Sequence, residues 1–241
     1  MTFRFLPAAL IFILVAGCAA PPEEAVKPDV SLEMTFVEQE PGVDPYPSRM
    51  LVTKDYLRLD DGVDAGNFVL YDRHNRTIAS VDHDARNVLW IYPHAVEVEP
   101  PMALVHSEES ESHPEAPTIA GRHPVQYRFI TNGEVCGEVV SVEGLLEQGR
   151  IALTEYLDTL AGEQALNMDK TPPEMQNACE LTRLIFAPSR HLAHGFPVEQ
   201  WDPRGRSRSL VGFREDVKLD PGLFQIPADY TSFSVNPPDE K

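Results

Sequence analysis

Three cysteines and eight histidines hold most of the nucleophilic and metal-binding capacity of the 241-residue chain. His191 and His194 form an H-x-x-H pair, and with Cys136 and Cys179 they make one conceivable zinc set. Neither cysteine has a second ligand two to four residues away, the spacing of compact structural zinc sites. His74, His83 and His94 fall in or beside expected turns, and His106, His113 and His123 in or near an acidic run, so solvated side chains account for all six. Asp82-His83-Asp84 could bind a cation only with partners from elsewhere. Asp60-Asp61-Gly62-Val63-Asp64 is rich in carboxylates but departs from the D-x-[DN]-x-[DN]-G calcium loop and has no closing glutamate, so an acidic turn is the reading. No G-x-S-x-G elbow, P-loop, G-x-G-x-x-G or H-E-x-x-H occurs. No catalytic residue is assigned and no cofactor is expected; an enzyme or metal protein built on the late histidines stays open as an alternative. Arg204, Arg206 and Arg208 form the one basic cluster, read as a solubilising hairpin tip in preference to a docking site for an acidic partner or phosphate.

Cys18 has a different context. Arg4 gives a short positive segment and Phe5 to Val15 an apolar run of about eleven residues, too short to span a ~30 Å hydrocarbon core. The run ends in Val15-Ala16-Gly17-Cys18, which resembles the lipobox of bacterial lipoproteins, where small residues precede a cysteine that is acylated before cleavage. The resemblance implies a signal peptide over 1–17, lipidation at Cys18 and a mature chain beginning there; an ordinary secretory signal cut near Ala19-Ala20 is the competing reading. Several acyl chains on one cysteine make a durable anchor, at ~0.8 kcal/mol per buried CH₂. Ala19, where an aspartate would favour inner-membrane retention, implies an outer-membrane destination facing the periplasm.

Loss of residues 1–17, whose one charge is Arg4, takes the formal net charge from −18 to −19 and leaves 224 residues, enough for one domain with a substantial core. So acidic a chain is a poor partner for nucleic acid, whose phosphates need clustered Lys and Arg, and for anionic headgroups. The lipid itself is the expected membrane contact. In an oxidising envelope Cys136 and Cys179 are the expected disulfide, with the zinc set and free thiols as alternatives.

These residues must be positioned by the elements around them. Residues 18–30, rich in proline and charge, read as an extended tether. Period-two alternation then marks strands at Leu32–Phe36, Met50–Val52, Tyr56–Asp60, Phe68–Tyr71, Thr77–Val81 and Val88–Tyr92, joined by connections too short for crossover helices, hence antiparallel neighbours forming a meander. Residues 100–120 read as a mobile acidic loop. Asn132-Gly133 signals a hairpin between Val125–Thr131 and Glu134–Val142. Helical spacing follows over 143–164, and a second amphipathic helix opens at Pro172-Pro173, the helical segment ending by 190. Strands at Val198–Trp201 and Ser209–Leu219 complete a single α+β domain over 31–235, with a solvated tail at 236–241.

The run of short strands, the late hairpin and the terminal Asp220-Pro-x-Leu-Phe-x-Ile-Pro-x-x-Tyr230 resemble envelope proteins related to the LolA/LolB lipoprotein-carrier fold. That resemblance implies a curved antiparallel half-barrel with two helices on one face, and a non-catalytic role in binding an apolar small molecule, such as an acyl chain, or a segment of an envelope protein. Phe68, Leu70, Ile78, Leu89 and Ile91 are expected to line the interior, with Tyr71, Trp90 and Tyr92 pointing the other way. A structural or interaction lipoprotein with a filled core is the alternative function.

The lipobox reading makes a direct prediction. Intact-mass spectrometry of membrane-extracted protein should find a mature N-terminus at acylated Cys18, and Cys18→Ser should abolish acylation and leave the chain uncleaved or released. A mature N-terminus at any other residue overturns it.

Overall fold

The computed structural model describes residues 31–172 and 176–237. The expected signal peptide, Cys18, the tether, Pro173 at the opening of the second helical segment and the last four residues of the tail lie outside this range. The described chain is a mixed α+β fold built on one large, curved, unclosed sheet. Strands β1 (Leu32–Gln39), β2 (Tyr46–Val52), β3 (Tyr56–Asp60), β4 (Phe68–Asp72), β5 (Thr77–Asp82) and β6 (Asn87–Ile91) are consecutive antiparallel neighbours. β7 (His106–Ser112), β8 (Val125–Thr131), β9 (Glu134–Val142), β10 (Phe196–Trp201) and β11 (Ser207–Glu215) continue the sheet from the other side of β1, through the β1–β11 pair. β12 (Thr231–Ser234) runs parallel to β6 at the far edge. The β8–β9 turn places Asn132 at φ 53° and Gly133 at φ 82°, the left-handed pair that a two-residue hairpin needs and that Asn-Gly supplies.

Three elements differ from expectation. Within the acidic stretch expected as a loop, His106–Ser112 instead forms β7, exposed along its whole length and paired with β8, while the residues on either side stay irregular. Low hydrophobicity prevents burial but not ladder hydrogen bonding, and a charged strand suits a sheet edge because it resists pairing with other chains. Helix α1 (Glu147–Leu166) begins four residues later than its periodicity implies. Gly144 and Leu146 take left-handed conformations, forming a turn that drops Leu145 and Leu146 into the core before the helix starts. The second helical segment is brief: α2 (Ala178–Leu181) is capped by Asn177, whose side chain accepts a hydrogen bond from Glu180 N at 2.9 Å, and then widens into a π-type turn over Thr182–Phe186.

Helix α1 lies against β2, β3 and β5, and its seat is close. A Cβ on Gly162 would stand 2.1 Å from the carbonyl oxygen of His94, so the segment after β6 crosses the helix at a point only glycine admits. Thr159 donates to the Tyr71 hydroxyl at 3.3 Å, and Arg73 clasps Glu155 through Nε and Nη2 at 2.7 and 3.1 Å.

Both faces of β2–β6 are covered. Under α1 lie Met50, Val52, Leu57, Tyr71 and Ile78 with Leu32, Met34 and Phe36. The opposite face carries Phe68, Leu70, Ala79, Val81 and Val88 beneath Phe224, Ile226 and Tyr230 of the C-terminal segment. The expected single inward set is therefore divided. Register places Tyr71 opposite Ile78 and Ile78 opposite Ile91, with Leu89 on that same side, whereas Phe68 and Leu70 point away. Tyr71, expected outward, is fully buried on the helix side. Strands buried on both sides lose the polar alternation that would tell their faces apart.

Arg58 organises the outer face. It is 1 % exposed; its Nε donates to Asp60 Oδ2 at 2.6 Å, its Nη2 to the Asp64 carbonyl at 3.2 Å and its Nη1 to the Leu223 carbonyl. The guanidinium lies 4.0 Å over the Phe68 ring. Arg49 grips Asp60 at 2.8 and 2.9 Å, and Gly62 N donates to it at 2.9 Å. The C-terminal segment closes over this network: Asp220 accepts from Gly222 N at 2.8 Å to start a 3₁₀ turn (Pro221–Phe224), Phe224 stacks on Tyr56, the Tyr230 hydroxyl meets His83 Nδ1 at 2.7 Å, and Arg86 pairs with Asp229.

Burial pushes the Asp60 carboxyl up, but hydrogen bonds from Arg49, Arg58 and Gly62 outweigh it and hold the group below the ordinary value of 3.8. A depressed carboxylate contributes stability above its unfolded pKa that is lost as pH falls through the folded value. Urea denaturation should therefore show Arg58→Met destabilised by about 3–5 kcal/mol at neutral pH, and stability of the parent falling below about pH 4. A loss under about 1 kcal/mol would refute the central role of Arg58.

Candidate functional site

Period two, which fills the β2–β6 half, leaves a gap elsewhere. On β1 and β8–β11 it turns Glu38, Phe129, Val139, Gln200 and Arg208 toward the helices. The register sets Glu38 and Gln200 on either side of Arg208, and Val139 beside Gln200. The roof is Leu157, Leu160 and Gln164 of α1 with Thr182, Leu184 and His191 beyond α2, and between floor and roof lies a cavity of about 410 Å³, within the ~300–1,000 Å³ range of small-molecule sites.

Cys136 on β9 and Cys179 on α2 form the expected disulfide, S–S 1.97 Å and Cα–Cα 5.1 Å. It lines the cavity and ties its roof to its floor. With the two sulfurs bonded to each other, the four-ligand zinc set is excluded. The histidines diverge as well: His194 stacks on Tyr127 at 4.1 Å and meets Glu108 Oε1 at 2.8 Å, whereas His191 lines the cavity. Among the described residues no group of three His, Cys, Asp or Glu side chains could hold a metal ion.

Most charges around the cavity have partners of their own. Arg206 is bound to Asp202, Arg183 to Glu180, and Arg190 donates to the Ile130 carbonyl at 3.1 Å and to that of Ser107. Glu40 accepts from the Tyr46 hydroxyl at 2.5 Å, and Glu138 from Gln126 Nε2 at 2.8 Å. Arg208 is different. Its Nε lies 3.0 Å from Glu38 Oε1, near enough for Coulomb attraction but off the hydrogen-bond direction, and the buried Nε has no hydrogen-bond acceptor among the described residues. One face of its guanidinium is covered by the Phe36 ring at 3.8 Å. Burial pulls its pKa down, opposed by Glu38. Burial, and then the charge of Arg208, lowers the His191 pKa to about 4, so this ring is neutral at neutral pH.

None of Phe68, Leu70, Ile78, Leu89 and Ile91 lines the cavity; they belong to the filled half of the sheet or its outer face. Arg208, grouped with the hairpin tip on sequence grounds, does not belong there. Arg204 and Arg206 do sit at the tip, the former 3.2 Å from Glu180, but β11 begins at Ser207 and its alternation carries Arg208 and Leu210 inward. That alternation is visible in Ser207-Arg208-Ser209-Leu210.

No family model and no curated protein matches the chain. Among solved structures it is similar to an uncharacterized conserved protein from Thermus thermophilus, at 10 % identity and TM-score 0.40 over 85 % of this chain and 90 % of that one. It is similar also to PNGF-II in two space groups, at 10 and 11 % identity and TM-scores 0.39 and 0.37, spanning 31 % of that protein's length. These likenesses assign neither function nor ligand.

The disulfide closes a loop with a sequence separation of 43, worth about 4 kcal/mol in the chain-entropy treatment. Thiol labelling of the denatured protein should require prior reduction, and Cys136→Ala/Cys179→Ala should lower the unfolding free energy by about 2–4 kcal/mol. Ready labelling without reductant would refute the bond.

Proposed function

We propose that this chain is a lipid-anchored, non-catalytic envelope protein that holds an apolar ligand, with its curved sheet acting as a half-barrel. The observation that carries the reading is the cavity of about 410 Å³, walled by Leu157, Leu160, Leu184, Val139 and Phe129, at the place where sheet and helices separate. Anchoring through Cys18 rests on the lipobox resemblance and would keep such a protein beside a supply of acyl chains. A fluorescent hydrophobic dye and palmitate should each bind the delipidated protein, competing with one another. Leu184→Trp, which fills the cavity, should abolish binding while moving the melting temperature by only a few degrees. Ile78→Phe, in the filled half, should cost about 1–3 kcal/mol of stability through overpacking and leave binding by the folded fraction unchanged.

The filled scaffold is the second reading, favoured by the β2–β6 half, where Leu57, Tyr71 and Ile78 are at most 1 % exposed. Failure of the parent protein to bind any apolar probe would select it.

A further inference from the structure

The cavity is not purely apolar, and the incompletely satisfied cation on its floor shows what head group a ligand must carry. We infer that it takes a single-chain amphiphile with a carboxylate head, of the long-chain fatty-acid class, whose carboxylate pairs with Arg208 while its tail runs along Leu157, Leu160 and Leu184. This rests on the ligand-binding reading above and names the ligand class for that same site.

The first support is the state of Arg208. A guanidinium offers five donors in one plane, yet the buried Nε has no acceptor among the described residues and its ion pair with Glu38 is misaligned. A buried, under-bonded donor is costly; with Nε turned to Glu38, Nη1 and Nη2 are the donors left for a ligand, and a carboxylate approaching in the guanidinium plane supplies the parallel acceptors that this group is shaped to receive. Phe36 at 3.8 Å covers one face of the plane and helps to fix the orientation of the donors.

The second support is the state of the other charges. Asp202, Glu138 and Glu40 accept hydrogen bonds from Arg206, Gln126 and Tyr46, and Glu38 accepts from Ser48 Oγ at 2.6 Å. None of these carboxylates is left under-bonded in the way Arg208 is, so the complementary head is an anion and not an ammonium. His191, neutral beside Arg208, adds no competing charge. Volume then selects within the anions: a cavity of about 410 Å³ lies near the small end of the ~300–1,000 Å³ range, room for one aliphatic chain and not for the two chains and headgroup of a phospholipid.

The test titrates the purified, delipidated full chain with palmitate, 1-hexadecanol and hexadecyltrimethylammonium, which share a tail and differ in the head. Palmitate should bind at least about tenfold more tightly than hexadecanol, the ratio expected for a hydrogen bond to a charged group. Arg208→Gln should erase that preference by weakening palmitate while leaving hexadecanol unchanged, and Arg208→Lys should retain part of it. Glu38→Gln, which removes the competing carboxylate and keeps Arg208, should strengthen palmitate binding and gives a reading if Arg208→Gln does not fold. Equal affinity for palmitate and hexadecanol, a preference that survives Arg208→Gln, or tightest binding of the ammonium would each overturn the assignment while leaving an apolar ligand site intact. Absence of binding by all three would overturn the ligand-binding reading itself, and this inference with it.

Discussion

The β2–β6 part of the curved sheet carries apolar side chains on both faces, which are kept from water only if both faces are covered, and the Arg58–Asp60 pair is where the second cover is fastened. Two buried charges would ordinarily weaken a fold, because their desolvation outweighs their mutual attraction unless every donor and acceptor is used. Here Asp60 receives Arg49, Arg58 and Gly62 together, and Arg58 also reaches the Leu223 carbonyl. The ion pair thus joins β3 directly to a segment more than 160 residues later in the chain. Phe224, Ile226 and Tyr230 can then seal Phe68, Leu70 and Val88 from water.

The same strand alternation serves two ends in the two halves of the sheet. Under the first half of α1 the side chains meet and exclude space: Tyr71, Ile78 and Leu57 pack against the helix, with Thr159 and Glu155 tying it down. Toward β8–β11 the helical layer changes to a short α2, a π-type turn and irregular backbone up to Gly195, which cannot present a continuous ridge to the sheet. The space so left is the cavity. The Cys136–Cys179 bond spans the cavity region from β9 to α2 and so ties the roof to the floor.

The position of Arg208 follows from the same geometry. A long cationic side chain in a filled core needs every donor matched, as Arg58 has; beside the cavity Arg208 is less fully matched, while Phe36 packs against its plane. Glu38 opposite limits the cost of burying the charge without taking up its Nε donor. A protein whose formal charge is −18 therefore carries a cation inside it, facing a cavity whose carboxylates are otherwise engaged.

Local pattern was enough to dictate the strands from β1 to β6, the Asn132-Gly133 hairpin, a long helix over 143–164 whose start the structure moves to 147, and the pairing of Cys136 with Cys179, because each follows from periodicity, turn chemistry or a count of two thiols. It did not dictate β7, whose residues have no apolar pattern and are held by ladder bonds to β8, nor β12, which exists through its pairing with β6 across the chain. Which of Phe68, Leu70, Ile78, Leu89 and Ile91 share a face emerged only in three dimensions, since strands buried on both sides carry apolar residues on both faces. The cavity was hidden for a related reason: its walls come from five strands and two helical segments, and the inward turn of Arg208 acquires meaning only once Glu38, Gln200 and His191 are brought around it. Short-range sequence selects which elements form; the space left between them depends on how tightly distant elements pack, and no short stretch of chain encodes that.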